Sequence, residues 1–294
     1  MSYGFRTLEQ GQWAALWIGE ASGGRPIEVY RTYDLLIEAP NWTADGSEII
    51  VAGEGDLWRM DAGSFDVFAR IHVTGAAPFN NDHVVGPDGL TMFGSAKDGN
   101  IYSAPVNGGS ATCLTAQSSA EGLRHYLHGV SPDGRRLSFI GLRLRPEGGV
   151  AEANVFTMSA DGGDLQQVTF GAALADGCEY DPSGEWLYFN TEVFDGHAQI
   201  ARIRPDGSGL EQLTCDERVN WFPHLIVNGL ALYLSYPEGT EGHPADRAVE
   251  LKLVNGDWAT PQTVAAFNGG QGTINVNSWS PDGSRYAFVS YGRD

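Results

Sequence analysis

Imidazole side chains recur at one position of a repeated pattern in this sequence. Of the seven histidines, four lie five to twelve residues before a glycine that closes a turn, and these are His83, His125, His128 and His224. Carboxylate and carboxamide side chains fill the same position elsewhere: Glu38, Asn41, Asn81, Asp82, Asp176, Glu179, Gln271, Asn275 and Asn277. Imidazoles that converge with a carboxamide and carboxylates suit a divalent transition metal such as manganese, zinc, iron or nickel. This chemistry requires a fold that brings distant segments to one point.

Six turns set the period of the sequence. The glycines that close them lie at positions 46, 89, 134, 184, 229 and 283, and the fullest form is Ser-Pro-Asp-Gly at 131–134 and 280–283. Proline and Asp-Gly suit successive corners of a tight turn, and an alternating or apolar segment follows each turn. Four short antiparallel strands in every ~40–50 residues is the period of a propeller blade. We therefore predict an all-β chain, a six-bladed β-propeller that forms a single domain over residues 1–294.

The two ends of the chain predict how the ring closes. One strand, 285–290, follows the last turn, whereas two strands, 12–18 and 26–32, precede the first turn. We expect the N-terminal strands to complete the last blade, which closes the ring and hides its edges. The innermost strand of each blade then faces the channel, so the polar residues that precede the turns are expected to meet near the axis.

The x-Pro-Asp-Gly turn followed by an apolar strand resembles the repeat of the TolB-like propellers, a PD40 or WD40-like repeat. Segments such as Asn81-Asp82-His83 and 221–224 look like a subgroup of those proteins. The resemblance implies a six-bladed fold and, by analogy with TolB itself, a protein partner. The repeat is more distantly similar to that of the propeller oligogalacturonate lyases, which are metal-dependent and act on uronate oligosaccharides. That second resemblance implies a metal held by histidines and a glutamine.

The axial side chains allow two interpretations. The first makes a metal site of four side chains: His83, His128, His224 and Gln271. Its acid/base catalysts are His125, Glu38 and Glu179. Its substrate-binding groups are Asn41, Asn81, Asp82, Arg124, Asn275, Asn277 and His243. The last belongs to a long loop, 238–247, which either covers the channel mouth or is an ordinary surface loop closed by an Asp/Arg pair. In the second interpretation the same side chains bond backbone groups of neighbouring blades around a water-filled channel.

The charge of the chain excludes several classes of partner. Acidic side chains number 37 against 18 basic ones, and the net charge of −19 argues against nucleic acid or an anionic membrane surface. A long polyanionic substrate is disfavoured for the same reason, so a small or neutral sugar fits better. Three distant cysteines outside any CxxC pair predict reduced thiols, and the first residues show no apolar leader. We therefore expect a cytoplasmic protein.

Two functions follow from these features. We expect a metal-dependent, carbohydrate-active enzyme (a lyase, isomerase or hydrolase) whose site lies on the channel axis and whose substrate is a sugar or sugar-derived small molecule. The alternative is a TolB-like protein-interaction propeller without catalysis. The enzyme needs its unusual residues on the axis, whereas the interaction module needs an apolar or charged patch on the rim. Trp221 is expected to pack between blades in either case.

Overall fold

The repeat of turn glycines folds as a ring of antiparallel sheets. A computed structural model describes residues 6–226 and 229–294. The strands of the N-terminal half are β1 (Gln12–Glu20), β2 (Ile27–Thr32), β3 (Glu38–Trp42), β4 (Glu48–Gly53), β5 (Asp56–Asp61), β6 (Ala69–Ile71), β7 (Val73–Thr74), β8 (Phe79–Val85), β9 (Thr91–Ala96), β10 (Ile101–Pro105), β11 (Gly109–Ser110), β12 (Thr112–Cys113), β13 (Arg124–Val130), β14 (Arg136–Leu144), β15 (Val150–Ser159) and β16 (Gln166–Gln167). The remaining strands are β17 (Ala175–Tyr180), β18 (Leu187–Thr191), β19 (Gln199–Ile203), β20 (Glu211–Gln212), β21 (Val219–Leu225), β22 (Leu230–Tyr236), β23 (Ala245–Asn255), β24 (Gln262–Gly270) and β25 (Arg285–Arg293).

Five blades follow the chain order from the inside of the ring to the outside. Their strand orders are β3-β4-β5-β6, β8-β9-β10-β12, β13-β14-β15-β16, β17-β18-β19-β20 and β21-β22-β23-β24. In the sixth blade β25 pairs with β1, from Gln12 opposite Arg293 to Glu20 opposite Arg285, and β2 lies outermost. An isolated bridge from Trp279 to Tyr286 marks its innermost segment. The predicted six-bladed, all-β propeller and its closure by the N-terminal strands are thus confirmed.

Helix contributes almost nothing to this fold. In the part of the chain that the structure describes, the one α-helix is α1 (Ala116–Ala120), between blades two and three. No helix among these residues is long and apolar enough to cross a bilayer.

The Pro-Asp-Gly turns stabilise each blade and also join neighbouring blades. In the third blade the Asp133 carboxylate accepts hydrogen bonds from Ser131 Oγ (2.6 Å) and the Arg135 amide (3.1 Å). The turn closes at Gly134 with φ of 73°, a conformation that favours glycine. The prolines pack across blade boundaries, Pro87 against Gly134 and Pro132 against Gly184. The fifth turn, predicted at 225–229, includes residues 227–228, which lie outside the described residues.

Every innermost strand of the first five blades is interrupted by a register shift half-way along its length. The shifts fall between Glu38 and Asn41, Phe79 and His83, Leu127 and Gly129, Asp176 and Glu179, and Trp221 and His224. At three of these bulges the backbone takes a positive φ, at Ala39 (53°), Gly177 (62°) and Phe222 (55°). A β-bulge re-aims the side chains beyond it, so the channel lining divides into two halves. We call the face with the turn glycines the turn face and the opposite face, with the β22–β23 loop, the mouth face.

Candidate functional site

Asp176 is the centre of a polar cluster near the mouth face. Its Oδ1 lies 2.9 Å from Nε2 of His128, and its Oδ2 lies 3.3 Å from Nε2 of His243. The Gly177 amide, in the bulge of β17, donates a hydrogen bond to the same carboxylate at 2.8 Å. Burial by itself raises the pKa of Asp176, but the two imidazoles outweigh burial and hold the pKa well below its usual range. Asp176 is therefore an anion that joins the third, fourth and fifth blades.

His128 lies on β13 and faces oxygen atoms with both ring nitrogens. Nδ1 donates to the Asn275 carbonyl at 3.0 Å, and Nε2 faces Asp176. Burial disfavours the charged ring, but the carboxylates of Asp176 and Asp82 raise the pKa of His128 to about 9. His128 is accordingly a buried cation at neutral pH.

Asp82, on β8, is a second buried carboxyl in the cluster. Its Oδ2 accepts a hydrogen bond of 3.0 Å from Asn80 Nδ2, and its own amide donates to Asn80 Oδ1 at 2.9 Å. Burial, with repulsion from Asp176 and partial compensation by His128 and His243, raises the pKa of Asp82 to about 6. Two carboxyls of opposite pKa shift thus face the same space.

The loop between β22 and β23 places His243 over the axis. Its Nδ1 contacts Gln271 Oε1, which also accepts a hydrogen bond of 3.2 Å from Asn275 Nδ2. The imidazole ring lies 4.4 Å from the ring centroid of Trp221 and 5.3 Å from that of Phe222. We call Asp82, His128, Asp176, His243 and Gln271 the mouth cluster.

Arg6 closes one side of the mouth. Its guanidinium lies 3.2 Å from Glu38 Oε1 and 3.3 Å from both Asp246 oxygens, and it donates to the Gln271 carbonyl at 3.0 Å. The same group lies 4.0 Å above the centre of the Tyr291 ring, in cation–π geometry. Burial outweighs the attraction of Arg6 and raises the pKa of Glu38 to about 7.

A second network occupies the channel towards the turn face. His224 bonds Glu179 Oε2 through Nδ1 (2.7 Å) and the Ile274 carbonyl through Nε2 (2.5 Å). The other Glu179 oxygen accepts hydrogen bonds from the Leu225 amide (3.1 Å) and Asn277 Nδ2 (2.7 Å).

Asn41 extends this network to the first two blades. Asn41 Nδ2 donates to the Asn277 carbonyl at 2.7 Å, while its Oδ1 accepts from the Val85 amide at 2.9 Å. We call Asn41, Glu179, His224 and Asn277 the blade clamp, because their bonds tie five blades together.

The comparisons with known proteins agree with this fold. No known protein-family profile matches the sequence. An uncharacterised protein of Agrobacterium fabrum is 34% identical over 261 residues, which cover 87% of this chain and 85% of that protein. A solved structure described as a provisional TolB, from Agrobacterium tumefaciens, superposes with a TM-score of 0.86 at 33% identity, over 96% of this chain and 99% of that one. The chain belongs to the TolB-like family of six-bladed β-propellers.

Two more distant structures share the fold of this TolB-like propeller. TolB from Acinetobacter baumannii has a TM-score of 0.62 at 18% identity, over 88% of this chain and 64% of that one. An oligogalacturonate lyase in complex with manganese has a TM-score of 0.57 at 12% identity, over 87% of this chain and 74% of that one. At these identities the likeness concerns the fold alone.

The TolB-like propeller does not bring the four predicted metal ligands together. His128 and Gln271 lie in the mouth cluster, whereas His224 lies in the blade clamp. His83 points between the first two blades, where its ring nitrogens lie 3.2 Å from the Asn81 carbonyl and 3.4 Å from that of Ile50. Burial lowers the pKa of His83 to about 4. Among the residues that the structure describes, no group of three or more His, Cys, Asp or Glu side chains is arranged to hold a metal ion.

The other predicted residues also separate by depth and by strand face. His125 lies off the axis, with Nδ1 on the Gly99 carbonyl (2.7 Å) and Nε2 on Ser118 Oγ (2.8 Å), and burial lowers its pKa. Arg124 donates to the Lys97 carbonyl at 3.0 Å. Asn275 lies beside the mouth cluster and accepts the Gly272 amide at 2.8 Å through Oδ1. Successive residues of a strand face opposite sides, so one position in the repeat cannot place every side chain on the axis.

The sequence patterns predict no functional role for three residues of this mouth. Asp176 occupies the same position in the repeat as the histidines, and this position is the sequence signal that could have placed it on the axis. Arg6 precedes all the repeats, so no periodicity could relate it to Glu38. Trp221 packs in the hydrophobic core, as predicted, and its ring centroid also lies 4.4 Å from that of His243 at the mouth.

Proposed function

We propose that this TolB-like propeller is a protein-interaction module that docks a partner segment on its mouth face. The observation that carries the proposal is a set of large apolar side chains exposed there: Leu144, Phe170, Val193 and Phe194. Phe170 is 76% exposed, an unusual state for a phenylalanine side chain. We call these four residues the rim patch.

Chain direction places the rim patch on one face. Leu144 ends β14, at the β14–β15 loop, and Val193 and Phe194 lie in the β18–β19 loop. Phe170 lies in the link from β16 to β17. In an antiparallel meander these connections all lie on the face opposite the first hairpin turn. A hydrogen bond of 3.0 Å from the Glu192 amide to the Leu174 carbonyl joins the link to the β18–β19 loop.

The negative charge near the rim patch indicates the chemistry of the partner segment. Glu192 and Asp195 flank the two apolar residues of the β18–β19 loop, and the whole chain carries −19. An acidic surface accelerates and orients the association of a basic partner. The proposed partner segment therefore combines basic side chains with apolar ones.

The axis supports the same proposal. The polar side chains of the blade clamp bond each other and the backbone, as in the interpretation of a structural channel lining. The predicted metal ligands occupy separate places, so the residues present do not fit a histidine and glutamine metal site. We derive no catalytic step through a metal.

Site-specific photo-crosslinking tests the proposal. A photoreactive residue at position 170, on the mouth face, is expected to capture one partner in stoichiometric yield in the native cell. Phe170→Ser and Phe194→Ser are expected to abolish co-purification of that partner. The matched controls Val67→Ser and Leu210→Ser remove apolar residues that are similarly exposed on the turn face, and they should retain it. Equal loss of the partner from the variants of both faces, or no capture at position 170, would overturn the proposal.

A second candidate function is carbohydrate-active catalysis at the mouth cluster. It is favoured by one observation, the opposite pKa shifts of Asp82 and Asp176, since acid/base pairs of carboxyls are built in this way. In this case Asp82 is the proton donor and the substrate is a small neutral sugar. A screen of sugars and sugar acids for turnover, with Asp82→Asn as the inactive control, distinguishes the two functions.

We extend the proposal to a cytoplasmic location. Cys113, Cys178 and Cys215 are free thiols in the described structure, as expected in a reducing compartment. Fractionation of cells that express the tagged native gene product tests this location, and recovery with the periplasmic fraction would contradict it.

A further inference from the structure

His243 occupies a cage with aromatic and acidic walls. Trp221 and Phe222 provide the aromatic walls, with ring centroids 4.4 and 5.3 Å from that of the imidazole. Asp176 Oδ2 lies 3.3 Å from Nε2, and Gln271 Oε1 contacts Nδ1. We call Asp176, Trp221, Phe222 and Gln271 the His243 cage.

The groups around His243 are those that select a cation. Both ring nitrogens face oxygen acceptors, and the orientation of the Gln271 oxygen is set by the donor Asn275 Nδ2. Aromatic faces attract a positive charge through the ring quadrupole, most strongly in tryptophan.

The walls of the cage are held firmly. Phe222 sits in the β21 bulge at φ of 55°, and its amide donates to Asn190 Oδ1 at 3.2 Å. A positive φ at a bulky residue is costly and persists because the surroundings impose it. Asp176 is fixed by the Gly177 amide and by His128.

The occupant, by contrast, comes from an exposed loop. His243 follows Gly239 and Gly242, which have φ of 73° and 62° and nothing within 4 Å of the position of a Cβ atom. Its side chain is 29% exposed although it lies over the axis. The imidazole can leave the cage by rotation of its own side chain, while hydrogen bonds from Tyr236 Oη (3.2 Å) and the Gln271 amide (3.3 Å) to the Pro244 carbonyl hold the chain beside it.

We propose that the His243 cage binds a cationic side chain, lysine or arginine, of the docked partner segment, and that His243 fills the cage until the segment arrives. The inference rests on the proposed function for the source of the cation. The rim patch and the cage are continuous along the chain, because the link that carries Phe170 leads directly into β17 and Asp176. Apolar residues of the segment pack on the rim while its basic residue enters the cage.

Titration calorimetry with N-acetyl-lysine methylamide tests the cage without the partner. His243→Ala vacates the cage and is expected to bind this probe at least about ten-fold more tightly than the native protein, because the competing imidazole is gone. N-acetyl-norleucine methylamide, which lacks the charge, is expected to show no binding. In the His243→Ala background, Asp176→Asn and Trp221→Leu should each remove most of the lysine binding. His72→Ala, which removes an exposed histidine beside the outermost strand of the first blade, is the matched control and should behave as the native protein.

Three results would overturn the cage. They are no lysine binding by a folded His243→Ala protein, equal binding of norleucine, and binding that survives Asp176→Asn. Circular dichroism of each variant confirms that the propeller is folded. Crosslinking at position 170 without any lysine binding would overturn the cage and leave the docking function standing. Lysine binding by the cage without a crosslinked partner would overturn the docking function and leave the cage standing.

Discussion

The blade clamp and the mouth cluster each pair a histidine of the fifth blade with a carboxylate of β17, yet the two pairs differ in how completely they are enclosed. In the clamp, His224 and Glu179 are 1% and 6% exposed, and their polar atoms are bonded across blades. In the mouth cluster, Asp176 and His243 are 21% and 29% exposed, and the contact between them depends on the position of a loop residue. The histidine–carboxylate pair thus stabilises the structure in the blade clamp, whereas in the mouth cluster it is accessible from solvent. Exposure and attachment, and not residue type, decide which role such a pair has.

The bulges explain how one strand serves both regions. Asp176 and Glu179 lie on either side of the shift in β17, and Trp221 and His224 lie on either side of the shift in β21. Each strand therefore contributes one side chain to the mouth and one to the clamp.

Removal of the clamp carboxylate should have the largest effect on stability. Glu179→Ala leaves the His224 ring, Asn277 Nδ2 and the Leu225 amide without their buried partner. Loss of one member of a buried, bonded pair costs about 3–5 kcal/mol in the free energy of unfolding. Chemical denaturation measures this loss. Glu185→Ala, an exposed carboxylate of the same blade, should change the free energy by less than about 0.5 kcal/mol. Similar values for the two variants would contradict the distinction.

The pH dependence of the free energy of unfolding should reveal the ionisation of His128 and Glu38 at the mouth. The pKa of His128, raised to about 9, makes its ion pair with Asp176 fully stabilising below about 6.5 and lost as the pH rises through 9. Glu38, with its pKa raised to about 7, adds a loss in the same direction from pH 4.5 upward.

We therefore expect the unfolding free energy to fall on the order of 2–3 kcal/mol between pH 6.5 and 9. In Asp176→Asn this slope should flatten, because the partner that raises the pKa of His128 is neutral. Melting temperatures across this pH range measure the effect, and an unchanged slope in Asp176→Asn would count against the ion pair.

The two histidines that contact carboxylates allow a matched comparison, in which the expected difference in the free energy of unfolding is smaller. His243→Ala removes a half-exposed contact and should cost less than about 1 kcal/mol. His224→Ala removes a buried one and should cost about 3 kcal/mol or more. Their melting temperatures, measured side by side, would refute the comparison if His243→Ala were the less stable protein.

The smallest expected effect concerns metal content. Elemental analysis of untagged protein should find no stoichiometric manganese, zinc, iron or nickel, because the predicted ligands bond carbonyls and carboxylates in separate places. His83→Ala and His224→Ala should leave that result unchanged. One equivalent of metal that either substitution removes would restore the metal-site hypothesis.

The sequence predicts the fold more completely than it predicts the site. The turn glycines and the unequal numbers of strands at the two ends were enough to predict six blades and the pairing of β1 with β25. The site depended on side-chain direction, which the bulges change within single strands. His83 and His128 share one position in the repeat, yet the first lies between blades and the second on the axis.

The rest of the site comes from loops and terminal segments, whose paths the sequence does not predict. His243 could be assigned to a covering loop, but its contact with Asp176 and Trp221 depends on a path that no periodic pattern specifies. Arg6 meets Asp246 and Glu38 because the ends of the chain come together in the sixth blade.

That closure sets the order in which the chain can be completed during synthesis. β1 leaves the ribosome before the five other blades, and its inner partner, β25, leaves after them. Until then β1 holds only β2 and presents an unpaired edge, the kind of surface that chaperones shield and that neighbouring nascent chains can capture. A chain that stops before residue 285 lacks β25 and keeps that edge of β1 open.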